Sequence, residues 1–132
     1  MKRFFVLISA VVFVLFGLAT APAYAFNQGS LSKLLSTNQC KDCDLSEAVL
    51  TGANLTGADL ERANLTGADL TGANLVGADL EKANLGRANL SDANLSEADL
   101  EKANLTGANL TGTNLINASL EKVTMPDGSK HA

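Results

Sequence analysis

The sequence predicts an all-β solenoid, a four-sided β-helix of about four coils behind a short N-terminal helical cap. Three observations carry that expectation. Leucine recurs at every fifth position from Leu45 to Leu120 without a gap. Alanine stands two residues before nearly every leucine, from Ala48 to Ala108 and again at Ala118, with Thr113 and Val123 as near-matches. Between them comes Asn or Asp in almost every repeat, and after the leucine a polar pair such as Thr-Gly, Ser-Glu or Glu-Lys.

Residues 1–25 read as a signal peptide. Lys2 and Arg3 form a basic start, Phe4 to Leu18 is apolar apart from Ser9, and Ala23-Tyr24-Ala25 is a small-x-small cleavage site, so cleavage is expected after Ala25. The apolar run has 15 residues, whereas a membrane span needs about 20. No membrane attachment is therefore expected after cleavage. Lys2-Arg3 is not a twin-arginine pair and no Cys stands at the cleavage site, which leaves general secretion as the route. Loss of the signal removes four of five Phe and the only Tyr, and leaves 14 acids against 8 bases, a net charge near −6. That balance argues against nucleic acid, which requires a basic footprint. The lack of aromatics in the repeats removes stacking platforms as well.

Residues 26–38 form a lead-in in which Ser30 is placed to N-cap a short helix carrying Leu31, Leu34 and Leu35. Residues 39–125 are the repeat array, and residues 126–132 a Pro- and Gly-containing turn with a polar tail.

Neither regular element accounts for a period of five. On an α-helix the leucine would precess by about 140° per repeat and make no stripe. On a flat strand an odd period throws alternate leucines to opposite faces, and the array is poor in the β-branched residues that favour strands. The period works if each pentapeptide makes one short side and the chain then turns by about 90°, with Ala and Leu inward. Four sides make a coil of about 20 residues, and coils stack by backbone hydrogen bonds.

Repeats such as Ala53-Asn54-Leu55-Thr56-Gly57 and Ala58-Asp59-Leu60-Glu61-Arg62 resemble the pentapeptide-repeat family over about 85 residues in tandem. The resemblance implies a right-handed quadrilateral β-helix, roughly 20 Å tall at about 4.8 Å per coil. Family members often place Phe at central positions. Here only Leu occupies them before Met125, so a uniform interior without a ligand cavity is expected. Tandem proteins of this kind that carry a signal peptide resemble those of cyanobacteria and chloroplast lumens, which implies a periplasmic or thylakoid-lumen address.

A longer period of 20 lies beneath the shorter one. Asp59-Leu60-Glu61-Arg62, Asp79-Leu80-Glu81-Lys82, Asp99-Leu100-Glu101-Lys102 and Ser119-Leu120-Glu121-Lys122 stack on one face if a coil has four sides. Two readings stand. Adjacent columns of Glu61, Glu81, Glu101, Glu121 and Arg62, Lys82, Lys102, Lys122 can neutralise each other. Alternatively, with the extra acids Asp59, Asp79 and Asp99, they form a docking face for a basic partner or weakly held cations. The Asn column (Asn54, Asn74, Asn94, Asn114) has a structural explanation, because short amides hydrogen-bond their own turns.

Cys40 falls on a leucine position and Cys43 on an alanine position, so both point inward in the first coil. The pair can close as a disulfide in an oxidising compartment, persist as buried thiols, or serve as a redox Cys-x-x-Cys. Two thiolates with the distant His131 do not complete a zinc site. A lone His in the tail excludes Ser-His-Asp and Cys-His arrangements, and the carboxylates lie on a convex surface with no cleft to tune them for acid catalysis. No enzyme, cofactor or metal is expected.

The expected function is an exported structural or protein-interaction module whose protein partner is unknown. A thiol-based switch at Cys40 and Cys43 is the alternative. A DNA mimic that shields a topoisomerase, as some family members are, fits less well, because the rod is short, its acids are matched by bases and it is exported. The C-terminal end has only Met125 and a Pro126-Asp127-Gly128 turn over its leucines, so dimerisation through that end is expected.

Overall fold

The computed structural model describes residues 27–132. The expected signal peptide, its cleavage site after Ala25 and Phe26 lie outside the described residues.

The first element is helix α1, Gln28–Thr37. Its N-cap is Asn27, whose side-chain oxygen accepts the Ser30 N–H at 3.2 Å. Ser30 is therefore in the first turn and not the cap, because Asn27 already supplies the acceptor three residues earlier. Asn38 closes the helix in the left-handed region at φ 61°, with its N–H on the Leu34 carbonyl. Leu31, Leu34 and Leu35 share one face at helical spacing and are buried against the end of the solenoid core.

Beyond α1 each side of the solenoid is too short to count as a strand and contributes a single bridge. From Gln39↔Asp59 to Asn104↔Thr124 the bridges are all parallel and all join residues 20 apart, so four pentapeptides make one coil. We number the faces by their bridging residues: first Asp44, Asn64, Asn84, Asn104 and Thr124; second Val49, Asp69, Asn89 and Asn109; third Asn54, Asn74, Asn94 and Asn114; fourth Gln39, Asp59, Asp79, Asp99 and Ser119.

The pentapeptide Ala73–Gly77 shows why the repeat has this composition. The Ala73 N–H closes the corner on the Leu70 carbonyl (3.0 Å), and the Asn74 N–H reaches back to Ala53 in the previous coil (2.9 Å). Leu75 and Gly77 donate forward to Asn94 and Ser96 of the next coil (2.7 and 3.0 Å). The remaining donor, the Val76 N–H, goes to the Asn74 side chain at 3.2 Å. All five N–H groups are thus satisfied, one of them only because the second residue is Asn or Asp. Gly77 sits at φ 63°, the left-handed turn that lets the chain change direction.

Every leucine from Leu45 to Leu105 is fully buried, with the intervening alanines beside it. The core loosens only at the C-terminal end, where Leu110, Leu115, Leu120 and Met125 are partly exposed. The last residues are not a free tail. The chain reverses through a turn in which Asp127 accepts the Ser129 N–H and hydroxyl (2.9 and 2.6 Å). It then pairs antiparallel, Lys130 against Thr124, over the outer edge of the first face.

Candidate interaction face

The fourth face brings together all the charged residues that the 20-residue period predicts. Glu81 and Lys82 pair at 2.6 Å within one coil, as do Glu61 with Arg62 and Glu121 with Lys122. Glu101 and Lys102 make the same pair. Each carboxylate lies directly beside its own coil's cation, so the columns neutralise each other laterally.

Two members of this face escape a reading based on leucine spacing. Lys41 and Asp42 occupy the Glu and Lys positions of the first coil with their signs reversed. Lys41 bonds Glu61, and Arg62 grips Asp42 through Nε at 2.7 Å and a second nitrogen at 2.8 Å. The period of 20 was the signal that could have found them, because it places them beneath Glu61 and Arg62. The Arg62 guanidinium holds the Asp42 carboxyl below the usual carboxylate range, and the Glu61 carboxylate raises the Lys41 ammonium. Lys82 and Lys122 likewise lower Glu81 and Glu121.

The Asp column is partly committed. Asp59, Asp79 and Asp99 each accept the N–H of the Glu two residues on, at 3.2, 3.0 and 2.9 Å. They serve the same corner role as Asn74 while adding a charge that Asn lacks. Oxygens of Asp59, Glu61 and Asp79 lie within 4.8 Å of one another. Both Glu61 oxygens are already held by Lys41 and Arg62, so this cluster is neutralised from within the chain.

The cations of this face stand where the backbone favours glycine. Arg62, Lys82, Lys102 and Lys122 have φ of 56°, 58°, 60° and 57°, and Asp42 59°. The equivalent corners of the other faces hold Gly52, Gly57, Gly67, Gly72, Gly77, Gly107 and Gly112 together with Glu47, Arg87, Asp92, Glu97 and Asn117. The fourth face has no corner glycine at all.

Cys40 and Cys43 are joined in a disulfide with Cα atoms 5.1 Å apart. The corner they occupy is built like the next one, with Cys43 N–H on the Cys40 carbonyl and Ala48 N–H on the Leu45 carbonyl, both 3.1 Å. Cys40 is fully buried, while Cys43 packs against the core but remains partly exposed. Cys40 Sγ lies 3.2 Å from the Ser30 carbonyl oxygen, a contact and not a hydrogen bond, since a disulfide sulfur carries no proton. His131 is exposed on the terminal strand. Among the described residues no helix is long and apolar enough to cross a membrane.

A solenoid whose corners repeat one five-residue solution marks a distinct class of repeat protein. The family profile for pentapeptide repeats matches residues 43–81 and 83–121, with 8 copies. The chain belongs to the pentapeptide-repeat family. It is similar to a solved pentapeptide repeat protein from Nostoc PCC 7120, with 37% identity over 68% of this chain and 75% of that one and a TM-score of 0.62. A second, from the cyanobacterium Cyanothece 51142, has 28% identity over 70% of this chain and 93% of that one, at a TM-score of 0.53. A third, from the thylakoid lumen of Arabidopsis thaliana, has 30% identity over 75% of this chain and 70% of that one, with a TM-score of 0.40. No curated protein matches the sequence.

Proposed function

We propose that the chain is an exported, non-enzymatic interaction module, a right-handed quadrilateral β-helix that presents its fourth face to a protein partner. The observation that carries this reading is the placement of four stacked cations at left-handed corners. A β-carbon in that region costs on the order of 1 kcal/mol relative to glycine. Exposed ion pairs contribute little in return. Repetition of such corners through every coil of one face, where the other faces mix glycine with Glu47, Arg87, Asp92, Glu97 and Asn117, is explained by what the face binds better than by what it adds to stability. The Asp column leaves the face net acidic, so the partner is expected to be basic and its docking sensitive to salt.

The address we propose, periplasm or thylakoid lumen, rests on Lys2-Arg3, the apolar run to Leu18 and Ala23-Tyr24-Ala25. A second reading, a disulfide switch, is favoured only by the partial exposure of Cys43. A thiol count after mild reduction that finds no free sulfhydryl disposes of it.

The test of the main reading is affinity capture from an exported-fraction extract with the wild-type chain and with D59N/D79N/D99N. Asn keeps the corner oxygen that each Asp supplies, so the variant loses three charges and no turn bond. A protein held by the first bait at low salt and released from the second supports docking on this face. Identical capture by both baits, or none by either, returns the columns to lateral neutralisation.

A further inference from the structure

Val123 holds an alanine position in the last coil and is fully buried, whereas its counterparts on the other faces are less covered, Ala108 at 8% exposure and Thr113 and Ala118 only half-buried. The difference is a strand. On the first face the Met125 N–H donates to the Ser129 carbonyl (2.7 Å), and the His131 N–H donates to the Val123 carbonyl (2.8 Å). Those two bonds flank the Thr124–Lys130 pair, the pattern of a non-hydrogen-bonded antiparallel pair.

The other three faces end with the same groups and no strand. Leu110, Leu115 and Leu120 N–H have no protein acceptor among the described residues, and the Ala108, Thr113 and Ala118 carbonyls receive no donor. Each N–H and carbonyl flanks an outward Asn109, Asn114 or Ser119, as Met125 and Val123 flank Thr124. The molecule therefore carries on one face a worked example of what the other three accept.

We propose that the C-terminal end is a strand-accepting site, and that its occupant is an extended segment of a partner protein with apolar–polar–apolar alternation, run antiparallel to Ala108–Leu110, Thr113–Leu115 or Ala118–Leu120. The polar residue faces outward opposite the Asn or Ser. Its two apolar neighbours point inward, because cross-strand partners share a face of the pleat, and they lie on the exposed leucines. The chain's own Ser129-Lys130-His131 is polar throughout and supplies only the backbone half of this pattern. A second copy apposed end to end fits less well than a single strand. Each copy's terminal strand stands about 4.8 Å proud of its first face and holds the remaining edges apart.

The test is a titration of the 15N-labelled full chain with an acetylated, amidated peptide containing Val-Thr-Val, followed by amide chemical shifts. Saturable downfield shifts of the Leu110, Leu115 or Leu120 amide protons are expected. Methylating the backbone nitrogen of the second Val, the donor equivalent to His131 N–H, is expected to weaken binding roughly tenfold, the worth of one good hydrogen bond. The L115K variant, checked for fold by far-UV circular dichroism, places a charge over the apolar end and is expected to lose the binding. Shifts indifferent to N-methylation, or confined to the Glu81–Lys82 and Glu101–Lys102 corners away from the C-terminal end, overturn the proposal. So do shifts of the same amides that grow with protein concentration in the absence of peptide, which would make a second copy the occupant.

Discussion

Exchanging the corner residues of adjacent faces separates the cost of the charged face from its purpose. Lys82 (φ 58°) and Gly77 (φ 63°) occupy equivalent corners in consecutive pentapeptides. A β-carbon added at Gly77 meets nothing within 4 Å, so Gly77→Lys isolates the conformational cost, on the order of 1 kcal/mol. Lys82→Gly removes that strain and forfeits the exposed pair with Glu81, in which Lys82 is 45% exposed, so the loss is small. Lys82→Gly is thus expected to leave stability unchanged or raise it by up to about 1 kcal/mol, and Gly77→Lys to lower it by a similar amount. For a domain of about 100 residues, 1 kcal/mol is a shift of about 4–8 °C in Tm. Urea unfolding should show the midpoint move at constant slope. A loss above about 1 kcal/mol for Lys82→Gly refutes the reasoning, since the ion-pair column would then be holding the coils together.

Asn74→Ala strands the Val76 N–H, and a cost of about 1 kcal/mol is expected in the same urea assay, whereas Asn74→Asp keeps the acceptor and most of the stability. The double variant C40L/C43A restores the repeat residues at a corner already built like its neighbour. Its stability is expected to fall by no more than roughly 2 kcal/mol, the loop-entropy value for so short a ring. Aggregation or loss of α1 by circular dichroism would show that the disulfide does more than brace the corner. Burial pushes the Asp69 carboxyl up, but hydrogen bonds from Thr71 and Thr51 outweigh it and hold the group below its ordinary value. Asp69 therefore contributes stability that is fully present above pH about 4 and is lost as pH falls through the depressed folded value. Asp69→Asn should flatten that part of the stability–pH curve, and an unchanged slope would remove Asp69 from the account.

The repeat was legible because each inward position is filled by one residue type, so a single leucine spacing reports the path of the chain. The register of the first coil was legible from Cys40 and Cys43, but Lys41 and Asp42 were not, because their signs are reversed relative to the Glu-Lys pairs above them. The helix start was misplaced at Ser30 because Asn27 and Ser30 are both good caps, and the choice depends on where the first helical turn closes. The terminal strand was illegible for a related reason. Ser129-Lys130-His131 has no alternation, and its pairing is dictated by the free N–H of Met125 and carbonyl of Val123, which exist only once the solenoid has formed.

That division between inward and outward residues bears on function. With every N–H of a pentapeptide met by neighbouring coils, its own corner and one Asn or Asp side chain, the fold places no demand on the fourth residue and asks only for glycine-like freedom at the fifth. Outward sequence is then free to vary, and the second and third faces do vary, mixing Thr, Ser, Val, Gly, Asp and Glu. The fourth face instead repeats Glu followed by Lys or Arg through four coils, then reverses both signs at Lys41 and Asp42. The reversal stops each like-charge column at its N-terminal end with an opposite charge, so it explains how the columns are tolerated without explaining why they are there. A surface that the fold leaves unconstrained, built against backbone preference in every coil, is the feature on which the proposed docking on another molecule rests.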